Sequence, residues 1–147
     1  MADTVMKISE SKFKQCFYFA SGALARIVEK MAIDVWKKVD LSPSHAYVLL
    51  LVLEEPGIQP GVISGQLHLT PSTITRLIEK LEAKKLVVRT SEGKITNVYP
   101  TPKAKELQPA LIACANEFSD LYYDAVGHKE CDQLIDSITK MADKLDH

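Results

Sequence analysis

The chain has 147 residues, 46% of them hydrophobic, with 18 Lys and Arg against 19 Asp and Glu and a formal net charge of −1. That is enough apolar material for a single core. No apolar run reaches spanning length or reads as an export signal, so neither membrane insertion nor secretion is expected and a cytoplasmic protein is. The three cysteines, Cys16, Cys114 and Cys131, are widely spaced and odd in number, which argues against a disulfide framework and for a reducing compartment.

Residues from about Ser9 to Lys38 read as one long helix. Phe13, Phe17, Ala20, Leu24, Ile27, Val28, Met31 and Val35 recur at 3–4 spacing, while Phe19, Ala23 and Trp36 widen the apolar surface. A helix apolar on more than one face wants the cover of a second subunit. Ser42-Pro43 then starts a second helix, almost wholly apolar through Tyr47–Leu53, which stops at Pro56-Gly57. A short third helix is predicted from Pro60 to Leu67 with Val62, Ile63 and Leu67 inward. Gly61 and Gly65 make it intrinsically weak, so its neighbours must hold it.

The stretch from Thr70 to Lys85, TPSTITRLIEKLEAKK, organises the rest. Thr70 followed by Pro71 is a helix start, and Ile74, Leu77, Ile78 and Leu81 form one apolar stripe at i, i+3, i+4, i+7. The opposite face carries Ser72, Thr73, Thr75, Arg76 and Lys80. Small hydroxyls let a helix axis come close to DNA, and an arginine can fork onto guanine, so this face suits the major groove. Two short helices joined by a tight turn make the helix-turn-helix pattern.

Beyond it, Leu86–Thr90 and Thr96–Tyr99 are β-like around a Ser91-Glu92-Gly93-Lys94 turn, a small wing. Thr101-Pro102 starts a long helix with a stripe through Leu107, Leu111, Cys114, Phe118 and Tyr122 that ends at Gly127. A last helix carries Cys131, Leu134, Ile135, Ile138, Met141 and Leu145. Residues 70–105 hold eight Lys and Arg against three Glu, whereas residues 106–147 hold three Lys against nine acids. The basic segment surrounds the Thr70 helix, and a local basic patch matters more for nucleic acid than overall charge. The acidic tail is expected away from the duplex.

Residues 41–107, and STITRLIEKLEAKKLVVR above all, resemble the winged-helix core of MarR-family transcriptional regulators. The resemblance implies a mainly α fold with a small β-wing. It divides the chain into an N-terminal dimerisation helix (1–40), a winged helix-turn-helix DNA-binding unit (41–104) and C-terminal dimerisation helices (105–147). It also implies a homodimer on a pseudo-palindromic operator, acting as a repressor that a small aromatic or lipophilic effector releases. Three positions depart from the family pattern. His68 and Lys85 stand where glycine is usual, and Glu92-Gly93-Lys94 replaces an Asp-x-Arg wing tip, losing the planar fork of arginine.

Thr75 and Arg76 are the residues expected at base edges, with Ser72 and Thr73 on phosphate or base. Arg89 and Lys94 are expected on the DNA backbone or in the minor groove, and Lys80, Lys84 and Lys85 as longer-range positive charge. By resemblance an effector pocket lies between the first, second and fifth helices, with Arg26, Trp36, His45 and Tyr47 as its polar and aromatic candidates. Cys16 sits in a segment similar to the one holding the sensing thiol of peroxide-responsive members. The supporting tyrosines of that branch are replaced by Pro43 and Ala46, with Tyr47 one place off. Cys16 therefore reads as a buried helix cysteine, with a thiol-based redox regulator as the alternative. A second alternative is a winged helix turned protein-interaction module. His128, Cys131 and Asp132 share a helical face but make too poor a ligand set for a metal. No metal, cofactor or enzymatic motif is read.

Overall fold

A computed structural model describes residues 6–146. Six helices and a two-stranded antiparallel hairpin follow one another: α1 Phe17–Trp36, α2 Pro43–Glu54, α3 Pro60–Leu67, α4 Pro71–Ala83, β1 Val87–Glu92, β2 Ile95–Pro100, α5 Pro102–Val126 and α6 His128–Leu145. Short 3-10 turns at Ile8–Glu10 and Lys37–Val39 flank α1. Among the described residues no helix is long and apolar enough to cross a membrane.

Three helices start by one device. Ser42, Thr70 and Thr101 hold extended backbone, each side-chain oxygen accepts from the backbone N–H three residues on, and a proline follows at the first helical position. Each cap satisfies a donor that the helix cannot, for about 1 kcal/mol. The Ile74, Leu77, Ile78 and Leu81 stripe of α4 is buried as its period predicts. It joins Val48, Leu49 and Val52 of α2, Ile63 of α3, Val87 and Val98 of the hairpin, Leu111 of α5 and Trp36 of α1 in one apolar cluster. Full burial of such side chains stabilises by roughly 1.5–3 kcal/mol each before conformational entropy is counted.

The structure differs from the sequence reading in four places. The first helix begins at Phe17, not near Ser9: Ser11 and Cys16 are extended, and the Ser11 hydroxyl accepts from Phe13 N–H at 3.0 Å. A serine that feeds a nearby backbone donor competes with the helix. Val62 of α3 faces solvent, and Ile63 alone is buried there. The wing turn is tighter than four residues, because Glu92 pairs with Ile95 and leaves Gly93-Lys94 as the loop, with Gly93 at φ 65°. Glycine at the first central position is what a type II′ hairpin turn demands. Finally, Ile58 adds a one-residue rung to the sheet by pairing with Val98, through Gly57 N–H to Val98 O (2.8 Å) and Val98 N–H to Ile58 O (3.0 Å).

Much apolar surface stays uncovered. On α1 only Ala32, Val35 and Trp36 are buried, while Phe17, Tyr18, Phe19, Leu24, Ile27 and Val28 are exposed. On α6 only Cys131 is buried.

Candidate nucleic-acid interface

The turn between α3 and α4 is set by His68, which takes the left-handed conformation (φ 55°). Leu69 N–H reaches back to Ser64 O at 3.2 Å, and the Ser64 hydroxyl donates to Leu69 O. These bonds use carbonyl groups that the end of α3 would leave orphaned. They aim the chain into Thr70 and hence fix the entry of α4.

On α4, burial of Ile74, Leu77, Ile78 and Leu81 turns Ser72, Thr75, Arg76 and Lys80 outward, with Thr73 half-buried. The hydroxyls of the first turn are linked: Thr70 Oγ1 lies 2.9 Å from Thr73 Oγ1 and 3.3 Å from Ser72 Oγ. The Thr75 hydroxyl donates to Pro71 O at 3.0 Å. The first turn thus presents short, mutually held polar side chains with Arg76 beside them. Arg76, Lys80 and Lys94 enter no ion pair among the described residues. Such charges remain free for phosphate or a base edge.

At its other end α4 closes in a Schellman motif. Lys85 is left-handed at φ 61°, Lys85 N–H donates to Glu82 O and Leu86 N–H to Leu81 O, both at 2.9 Å. Thr101 Oγ1 donates to Lys85 O at 2.7 Å, tying the end of α4 to the start of α5. Both positions where the resemblance implied a missing glycine therefore do hold positive φ.

On the wing, Lys94 stands exposed at the tip, and Arg89 lies near the base of β1. The guanidinium of Arg89 is bound to Glu82 of α4 at 2.7 Å. Glu82 was not singled out in the sequence, since nothing local marks a strand–helix ion pair.

The four effector candidates are not gathered in one place. Trp36 is fully enclosed in the core, edge-on to Tyr47 with ring centroids 5.6 Å apart, and its indole N–H has no partner among the described residues. Burial, and then the neighbouring Tyr122, raises the Tyr47 hydroxyl above its ordinary range. Arg26 lies ten residues before Trp36 on α1, about 15 Å along the axis, with its guanidinium beside Gly22. His45 sits on the first turn of α2, where its Nδ1 meets the Ser42 hydroxyl. Burial lowers its pKa, and the positive charges of Lys80 and Lys84 lower it further.

Cys16 is not a buried cysteine in the body of a helix. It is the residue before α1, half-buried, and its side chain makes no cap hydrogen bond. The aromatic rings nearest it in the sequence, Phe13, Phe17 and Phe19, are themselves exposed. The His128, Cys131 and Asp132 face is taken up by packing against α5. Tyr123 donates to Asp132 Oδ1 at 2.7 Å and stacks on His128 at 4.4 Å, and the Cys131 thiol points at Tyr122 O.

A family model described as MarR family matches residues 39–94. An uncharacterized HTH-type transcriptional regulator of Bacillus subtilis (strain 168), YybA, is 27% identical over 93 residues, 61% of this chain. The match spans 62% of that relative's length. Among solved structures, the S. aureus MepR–DNA complex superposes with a TM-score of 0.77 at 20% identity, covering 88% of this chain and 97% of that one. CouR from Rhodococcus jostii RHA1 bound to p-coumaroyl-CoA gives 0.74 at 20% identity, covering 94% and 96%. At such identities these two likenesses are of fold.

Proposed function

We propose that the chain is a winged-helix protein of the MarR family, whose model matches residues 39–94, and that it is a homodimeric, sequence-specific DNA-binding transcriptional regulator, a repressor that a small-molecule effector releases. The observation that carries this reading is the outer face of α4. There Ser72, Thr75 and Arg76, which enters no ion pair among the described residues, stand exposed on a helix anchored at both ends, with the Lys94 wing tip following in the chain. A rigid helix presenting short hydroxyls and one arginine is built to enter a major groove, and a basic hairpin tip to lie against the phosphates beside it. Two relatives of the same fold support the reading, one solved on DNA and one with p-coumaroyl-CoA. The test is selection of bound genomic fragments followed by a salt titration of the best one. Saturable, sequence-selective binding with a steep salt slope is the expected result, whereas binding without sequence preference sinks it.

A second reading, redox control through Cys16, is favoured by one observation: the thiol lies half-buried just before the start of α1 rather than enclosed. DNA release by organic hydroperoxide that tracks Cys16 oxidation, and is lost in Cys16→Ser, separates it from the first.

A further inference from the structure

Most hydroxyl groups that open α4 are engaged within the helix itself. Thr70 Oγ1 accepts from Thr73 N–H at 3.4 Å and lies 2.9 Å from the Thr73 hydroxyl and 3.3 Å from that of Ser72. Thr75 donates its one hydroxyl proton to Pro71 O at 3.0 Å. A threonine that bonds the carbonyl four residues back turns its oxygen onto the helix. The methyl, on the other branch of Cβ, is then the group free to meet a partner. We propose that Thr75 reads a thymine through this methyl, rather than a base or phosphate through its hydroxyl.

The chemistry of the base edges points to thymine. Its C5-methyl is the one apolar group that a base pair shows in the major groove, and a threonine methyl is among the groups that pack on it. A guanine or thymine oxygen needs a donor, and the only proton of the Thr75 hydroxyl already goes to Pro71 O. An adenine or cytosine amino group needs an acceptor, and the Thr75 oxygen is turned back to the helix. Pro71 and Thr75 are both exposed, and residues four apart on a helix are neighbours on one face. Proline ring and threonine methyl therefore form a small apolar spot on a face that is otherwise polar.

This contact rests on the DNA-binding reading proposed above and names one base that α4 recognises. Arg76 follows Thr75 in the chain, is exposed and enters no ion pair among the described residues. It supplies the donor fork that guanine requires, which Thr75 cannot. The thymine should thus lie beside the base pair at which Arg76→Ala relaxes the preference.

The probe is the tightest duplex selected from a pool with a randomised core, and the same duplex with deoxyuridine replacing one thymine at a time. That replacement removes the methyl and nothing else. Fluorescence anisotropy on the full chain should find one thymine in each half-site whose replacement weakens binding about fourfold, as burial of one methyl implies. Thr75→Val keeps the methyl and should bind within about twofold of the unaltered chain, with the same uracil penalty. Thr75→Ser keeps the hydroxyl, yet should bind about fourfold more weakly per half-site and no longer distinguish thymine from uracil there. Thr75 is exposed and outside the core cluster, so neither change threatens folding. A selected duplex with no uracil-sensitive thymine, a uracil penalty that Thr75→Ser retains, or a Thr75→Val that fails where Thr75→Ser binds normally overturns the methyl contact. Each of these leaves the DNA-binding reading standing. A pool that yields no preferred duplex sinks that reading, and the contact with it.

Discussion

Arg89 on the wing and Glu82 on α4 form an ion pair at 2.7 Å, with each side chain about one-third exposed (35% and 31%). The wing is thus braced against the helix it accompanies. The guanidinium of Arg89 is thereby held in place, and its charge is partly offset. A pair this exposed is worth at most about 1 kcal/mol to the fold. A double-mutant cycle of Glu82→Gln and Arg89→Ala in urea denaturation should give a coupling of roughly 0.5–1 kcal/mol. Glu82→Gln alone should raise affinity for all DNA sequences alike by freeing the guanidinium. A coupling near zero would show that the brace contributes nothing in solution.

Arg76 is the exposed cation expected at a base edge. Arg76→Ala should cost on the order of 1–3 kcal/mol per half-site and flatten the preference between bases at one position. Lys94→Ala should act differently, weakening all sequences and lowering the salt slope by about one. Operator affinity left intact by Arg76→Ala would place the reading element somewhere other than α4.

Lys85 holds φ 61° at the end of α4, where its Cβ crowds the following carbonyl and glycine would not. Lys85→Gly should therefore stabilise the fold by about 1 kcal/mol, the relief of strain outweighing the extra freedom of the unfolded chain. The Schellman bonds and the Thr101 hydrogen bond to Lys85 O involve backbone and survive the change. No gain in DNA affinity is expected, since a positive charge is lost. Thermal and urea unfolding measure the effect, and a lower stability contradicts it.

These three sites differ in how far the sequence announced them. The α4 stripe and its Thr70-Pro71 start are local signals, a period and a cap, and both appear as read. The left-handed Lys85 was legible only against the family pattern, because nothing in lysine itself marks that backbone. The Arg89–Glu82 pair and the Ile58–Val98 rung join segments distant in the chain, and periodicity carries no information about such contacts. Trp36 and Tyr47 read from the sequence as effector-pocket candidates, but a tryptophan on an apolar face does not declare whether it lines a pocket or fills a core. Here it fills the core. The late start of α1 was missed because aromatic spacing at Phe13 and Phe17 outweighed the quieter signal of Ser11.

His45 makes stability depend on pH with a definite sign. Its folded pKa lies below the ordinary 6.5, from burial first and then Lys80 and Lys84. The unfolded chain therefore takes up this proton more readily than the folded one. The contribution is fully present above pH 6.5 and is lost as pH falls from there through the lower folded value. His45→Gln should reduce the fall in stability between about pH 7 and pH 5, measured as urea midpoints across the range. Parallel profiles for the two proteins would mean that the ring is solvated in solution.

The exposed faces of α1 and α6 bear on assembly. Phe17 is 60% and Tyr18 77% exposed, and Leu134, Ile135, Ile138, Met141 and Leu145 also open to solvent on α6. Their spacing places the α6 residues on one stripe of a helix whose other side is polar. A monomer would leave this stripe and the aromatic start of α1 in water, more contiguous apolar surface than soluble monomers usually carry. A second copy of the chain is the expected cover. Ile138→Glu puts an unpaired charge into that cover at a position outside the core cluster, so the winged-helix unit should remain folded. Dimer affinity should fall by about 2–4 kcal/mol, enough to give monomers at micromolar concentration in sedimentation velocity. Gln133→Glu, on the polar side of the same helix, should change little. DNA binding should then weaken far more in Ile138→Glu than the loss of one uncharged side chain remote from α4 could explain, because two half-sites need two linked recognition helices. A dimer that persists unchanged in Ile138→Glu would move the interface off α6.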